Sequence, residues 1–196
     1  MATARARPAF AADAMLGSLA RKLRALGFDT TYYRSGGDAQ LVKLAAMEGR
    51  VVLTSDRALA GSAMAKGVAA VLLRGGSDSR RLSEIAAAAG PLGFELARGD
   101  PFCSLCGGAL EMVGKGGVSG KVPAGVQRSH REFFVCVACG QAYWKGSHWK
   151  KLRSLAGRLG QKQLATNNGR REGGGRAGEG DAGSPSQGVP PTSTAP

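Results

Sequence analysis

The chain has 196 residues, 43% of them hydrophobic, with 27 lysines and arginines against 14 aspartates and glutamates. That length suits one ordinary domain, or one with a small appendage, and its longest apolar runs, such as Val68–Leu73, fall far short of the roughly 20 residues a membrane-spanning helix needs. The formal net charge of +13, of which an excess of eight lies within residues 1–149, favours a polyanionic partner. Nucleic acid comes first, because each neutralised phosphate releases condensed counterions.

Residues 8–96 alternate strand and helix signals. Arg5 and Arg7 precede a short Ala-rich stretch, but Asp13 interrupts any apolar leader core, so a cytoplasmic protein is expected. Pro8–Ala12 is a short extended run. Ala14–Leu26 then reads as a helix, with Met15, Leu16, Leu19, Leu23 and Leu26 on one face and Gly27 ending it. Thr30–Tyr33 is β-rich, Ser35-Gly36-Gly37 turns the chain, and Asp38 reads as the N-cap of a helix over Ala39–Glu48 that stops at Gly49. Val51–Thr54 is a continuous apolar strand of the kind buried on both faces. Ser55-Asp56 opens a third helix to Lys66, Val68–Leu73 is the next strand, and Asp78–Ala89 is an amphipathic helix. Leu92–Leu96 reads as a last edge strand. The repetition predicts an α/β fold with a parallel sheet flanked by helices.

Ala97–Pro101 reads as a linker, and a different composition follows. Cys103-Ser-Leu-Cys106 and Cys136-Val-Ala-Cys139 each hold two residues between thiols and are followed by Gly107 and Gly140. Such knuckles bend the backbone so that both sulfurs face one point, and two of them predict tetrahedral, structural zinc. β-like segments at Leu110–Val113 and Glu132–Val135 lie between the knuckles and suit a ribbon. Thiols held reduced and metallated fit a cytoplasmic setting better than disulfides. Tyr143-Trp-Lys-Gly-Ser-His-Trp149 mixes aromatic, basic and hydroxyl groups. It suits base stacking and phosphate contact, or Trp144 and Trp149 simply cover the module, the reading favoured for the tryptophans. The expected divisions are an α/β domain at 8–98, a zinc ribbon at 99–155 and a disordered Gly/Pro/Ser-rich tail at 160–196.

Ligands of an open parallel sheet collect at the carboxyl ends of its strands. Asp13, Asp38 and Asp56 all stand there, and converging carboxylates select magnesium or manganese. Each of the three also precedes a helix, so capping explains them singly. Asp38-Ala-Gln-Leu followed by Glu48-Gly-Arg-Val-Val-Leu-Thr54-Ser-Asp56 resembles the segment of PIN-domain ribonucleases that links a helix-opening aspartate to a Thr-x-Asp strand end. With Asp13-Ala-Met-Leu-Gly-Ser-Leu-Ala-Arg-Lys-Leu-Arg and the Tyr143–Trp149 string, the chain resembles the family named after the C-terminal RNase domain of the Mut-seven exonuclease, over about Phe10–Leu152. That resemblance implies a PIN-like nuclease fold with a C-terminal zinc ribbon, and metal-dependent cleavage of RNA at Asp13, Asp38 and Asp56. No residue matches the PIN glutamate between the first two, and Ser55 stands where the family often has arginine. Arg21, Arg57, Lys145, Ser147 and His148 become the expected nucleic-acid contacts, with no small-molecule cofactor and no membrane partner. The rival expectation is a non-catalytic nucleic-acid-binding or adaptor protein with a degenerate site.

Overall fold

The computed structural model describes residues 7–94, 96 and 99–146. Strand β1 (Phe10–Ala12) lies between β2 (Thr30–Tyr32) and β3 (Val51–Thr54), parallel to both, and β4 (Ala70–Leu72) extends the sheet beyond β3. The order is β2-β1-β3-β4. A strand with neighbours on both edges and helices on both faces has no solvated side, which is why β1 and β3 are apolar without alternation. Helices α1 (Gly17–Ala25) and α4 (Asp78–Ala89) cover one face, where Leu19, Leu23, Leu82 and Ile85 pack with Phe10, Ala12 and Leu53. On the other face α2 (Asp38–Glu48) and α3 (Arg57–Ala65) set Leu41, Ala45, Leu59 and Ala63 against Ala11 and Val52. The chain leaves β1 toward β2 and returns on the opposite side at β3, so the topological switch point lies between β1 and β3.

Three local expectations need correction. The first helix starts as a 3-10 turn at Ala14–Leu16 before α1 proper. Gly37, not Asp38, is the N-cap of α2, and Asp38 is its first helical residue. Leu92–Leu96 forms no strand among its described residues: Leu92 and Gly93 lie in a turn, Gly93 has φ of 77°, and Phe94 packs edge-on to Phe10 with ring centroids 6.0 Å apart. The turn directs that apolar residue into the core instead of along the sheet edge. Gly27 stands where its left-handed φ of 86° favours glycine, and a Cβ there would come within 2.5 Å of the Gly99 carbonyl oxygen. No helix among the described residues is long and apolar enough to cross a membrane.

The cysteine region forms a second, antiparallel sheet of β5 (Leu110–Val113), β6 (Phe133–Cys136) and β7 (Ala142–Trp144). A 3-10 turn at Lys115–Val118 and the short helix α5 (Ala124–Ser129) close over one face, where Val118, Val122 and Val126 meet Phe133 and Trp144. Trp144 is thus a covering residue of this module; Trp149 and the expected tail lie outside the described residues.

Arg24 joins the two sheets. It is 6% exposed, and its Nε donates to the Thr30 carbonyl at 2.8 Å while Nη1 donates to the Leu105 carbonyl at 2.8 Å and the Ser104 carbonyl at 3.3 Å. Its own carbonyl accepts the Phe102 N–H at 2.9 Å. Arg24→Met would fill similar space and strip three carbonyls of their donor. A buried acceptor left unsatisfied costs about 1–3 kcal/mol, and water reaches the Ser104 and Leu105 carbonyls in part while the Thr30 bond is buried, so a total loss of about 2–4 kcal/mol is expected in urea unfolding; an unchanged midpoint would show that the arginine carries no such load.

Asp78 ties α4 to α1. Its Oδ2 accepts from Ser18 Oγ at 2.6 Å and Lys22 Nζ at 2.7 Å, and Arg81 Nη1 lies 3.5 Å from Oδ1. Burial pushes this carboxyl up, but the hydrogen bonds from Lys22 and Ser18 and the charges of Lys22 and Arg81 outweigh it, holding it below its ordinary value. A carboxylate depressed in the folded state stabilises fully above its unfolded pKa of about 3.9 and ceases to do so as pH falls through the folded value. The stability difference between the native chain and Asp78→Asn is therefore expected to stay level from neutral pH down to about 5 and to shrink below about 4. Urea titrations across that range check it, and a difference that persists undiminished in acid would contradict it.

Candidate functional site

The two cysteine turns are shaped by their glycines. Gly107 N–H donates to the Cys103 carbonyl at 2.8 Å and Gly140 N–H to the Cys136 carbonyl at 2.9 Å, and both glycines take the left-handed φ, 84° and 71°, that such a turn requires. The four sulfurs all lie within 4.8 Å of one another, with Cys103–Cys139 at 3.6 Å and Cys106–Cys136 at 3.4 Å. A disulfide needs about 2.05 Å, so no pair is bonded. Tetrahedral zinc with Zn–S bonds of about 2.3 Å spaces sulfurs by about 3.8 Å, so this set can hold one zinc ion. Burial alone would raise the Cys103 thiol, yet the N–H groups of Cys106 and Leu105 and the Tyr143 hydroxyl, 3.1 Å away, bring it down to about 6. The Gln141 N–H favours the Cys139 thiolate, but hydrogen bonds shared with the neighbouring cysteines push Cys139 up to about 12.

The second constellation stands on the carboxyl edge of the parallel sheet. Asp13 N–H donates to the Leu53 carbonyl at 3.0 Å, extending the β1–β3 ladder, and Asp13 Oδ2 accepts from Thr54 Oγ1 at 2.9 Å. Thr54 is fully buried, and the same Oγ1 accepts the Asp56 N–H at 2.9 Å. One hydroxyl thus joins Asp13 to Asp56 across the switch point. Asp56 is a true N-cap, its Oδ1 accepting from Ala58 N–H at 2.6 Å and Leu59 N–H at 3.2 Å. Neither Asp13 nor Asp38 makes a side-chain cap bond, so capping accounts for one aspartate of the three. Asp38 stands exposed beyond the end of β2. Among the described residues only the cysteines form a group of three or more metal-binding side chains within 4.8 Å of one another, so the three aspartates do not draw that close. Between Thr54 and Asp56, the buried Ser55 Oγ has no hydrogen-bond partner among the described residues.

Sequence reading missed the role of Thr54 and two arginines. Arg34 follows β2 and lies 5.5 Å from the centre of the Tyr32 ring, while Arg74 follows β4. With Arg57 at the start of α3 they are exposed on the carboxyl edge, and none has a carboxylate partner among the described residues. At the opposite edge Arg50 is held by Asp29 at 2.9 Å and by Glu48. The available signal was position: each of the three falls within three residues of a strand's end.

Residues 8–156 match the protein family described as the Mut7-C RNAse domain. The chain belongs to that family. Membership brings a nuclease-like function and RNA as the implied substrate. No curated protein and no solved structure gives a match.

In this Mut7-C RNAse domain the outer side of α1 and one face of the antiparallel sheet enclose a groove of about 1170 Å³. Arg21 and Lys145, named from sequence as nucleic-acid contacts, both line it, together with Lys22, Phe134 and Trp144. Arg57 stands apart from them on the carboxyl edge, and Ser147 and His148 lie outside the described residues.

Proposed function

We propose that the chain is a magnesium- or manganese-dependent ribonuclease that hydrolyses RNA phosphodiester bonds in the cytoplasm. On this reading residues 8–98 are a PIN-like domain, and residues 99–155 are a zinc ribbon that assists RNA binding. The observation that carries it is the Asp13–Thr54–Asp56 link at the switch point of a chain whose family is an RNAse domain. Asp13, Asp38 and Asp56 offer the oxygen donors a hard cation takes, and magnesium commonly holds only one or two carboxylates directly and keeps several waters, so it does not require all three to meet in one ligand shell. When bound, such an ion would polarise a phosphoryl oxygen and acidify a water. The chain's own groups do the rest. Thr54 fixes the orientation of Asp13 by donating to it, the α3 N-terminus fixes Asp56, and Arg34, Arg57 and Arg74, which have no carboxylate partner among the described residues, are available to phosphates.

The reading is tested by incubating the purified chain with labelled RNAs of varied sequence and structure in manganese, in magnesium and with chelator. Chelator-sensitive cleavage is expected; none on any substrate would remove the enzyme assignment. A second reading, a non-catalytic RNA binder, draws on the cap role of Asp56 and the separation of the aspartates. Salt-sensitive binding without cleavage would favour it.

A further inference from the structure

We infer that the groove between α1 and the antiparallel sheet seats unpaired RNA bases, so that the substrate class is single-stranded RNA; this rests on the ribonuclease reading and deepens it. Side chains alternate across strands. Val113 and Phe133 turn to the buried cluster of the cysteine region, while Leu110, Met112 and Phe134 turn to the groove. Met112 is 67% exposed there. Tyr143, the cross-strand partner of Phe134, shares that side, so the groove is walled mainly by apolar and aromatic surface, including Phe102 and Tyr143.

Its charge is sparse. Arg21, Lys22 and Lys145 are offset by Asp100 and Glu132, and Lys145 is already bonded to Glu132 at 2.7 Å and Lys22 to Asp78 at 2.7 Å. A duplex presents phosphates and 2′-hydroxyls and hides its bases, so such a wall gives it little. Splayed bases stack on aromatic and apolar faces whatever their sequence. Lys145 Nζ lies 5.4 Å from the centre of the Phe134 ring, placing a cation beside the stacking surface where the next phosphate would pass.

The groove also comes near Asp13 along the chain. Ser18, five residues beyond Asp13, is among its lining residues. At 1.5–2.0 Å of rise per residue that is roughly 8–10 Å along the helix axis. A strand laid against α1 is thereby aimed at the β1–β3 switch point.

The test measures binding, with the full chain, its zinc retained, and calcium in place of magnesium or manganese, so that cleavage does not enter. The probes are an unstructured RNA of about 12 nucleotides, within the usual span of a single-strand site, and the same sequence annealed to its complement. The single strand is expected to bind at least tenfold more tightly, with a shallow salt slope of about 2, as three phosphate contacts would give. Met112→Glu is expected to weaken single-strand binding about tenfold and leave zinc content unchanged, whereas Met112→Phe preserves or strengthens it. Equal affinity for both probes overturns the inference. So does indifference to Met112→Glu, the result expected if residues 147–196 or a second copy cover the groove; sedimentation then identifies the second copy. Strand preference without any cleavage in manganese would remove the enzyme reading and leave the groove, and cleavage without preference would do the reverse.

Discussion

Asp13→Asn is expected to lower manganese-dependent RNA cleavage by about 10³-fold with little change in stability. The substitution keeps size and lets the Thr54 hydroxyl donate to an amide oxygen in place of a carboxylate, so the β1–β3 junction survives. What disappears is the negative charge that would draw a cation to the switch point, and loss of one preorganised electrostatic group at a reacting centre typically costs about 10²–10³ in rate, more where a metal is lost with it. Asp56→Asn sharpens the comparison. Asparagine caps a helix as well as aspartate does, so the bonds from Ala58 and Leu59 can persist and unfolding should shift by less than about 0.5 kcal/mol. A fall in single-turnover cleavage at unchanged stability would separate ligand from cap. Two variants that cleave like the native chain would reduce both aspartates to structural residues.

Cys136→Ser is the second large effect: the antiparallel sheet is expected to lose both its metal and its fold. Cys136 is buried at the end of β6, paired with Leu110, and its sulfur sits 3.4 Å from that of Cys106. The cluster around Val118, Phe133 and Ala142 is small. Structural zinc supplies about 10–16 kcal/mol of binding free energy to modules of this kind, far more than those few side chains. Zinc content should drop from one per chain to a small fraction, the Trp144 emission should shift as its cover opens, and RNA binding should weaken as one wall of the groove is lost. The parallel sheet, with its separate cores on two faces, should still unfold cooperatively. A variant that kept full zinc would contradict the four-sulfur site.

The parts of the molecule legible in sequence are those determined locally. Cys-x-x-Cys-Gly encodes its own turn, and β3 and α4 carry their burial in their periodicity, so their limits at Val51–Thr54 and Asp78–Ala89 match expectation. Positions at strand ends marked Asp13 and Asp56. Short apolar runs were ambiguous: Leu92–Leu96 has the composition of a strand, yet Gly93 turns it and Phe94 is drawn into the core. Strand β7 was hidden because its Ala-Tyr-Trp string reads equally well as chemistry, and α5 is too short and too polar to show a period. Bonds between distant residues were not legible at all. Thr54 hydroxyl to Asp13, and Arg24 to the carbonyls of Ser104 and Leu105, depend on the folded topology and leave no local pattern.

The arginine that joins the sheets also limits how the chain can be divided. A cut in the 97–101 segment looks harmless by composition, but it would separate a guanidinium from two of its acceptors and bare the groove-facing side of α1. Neither fragment would retain a whole groove. The unit to transplant, shuffle or fuse is therefore the whole matched span, residues 8–156, with helix α1 belonging to both halves.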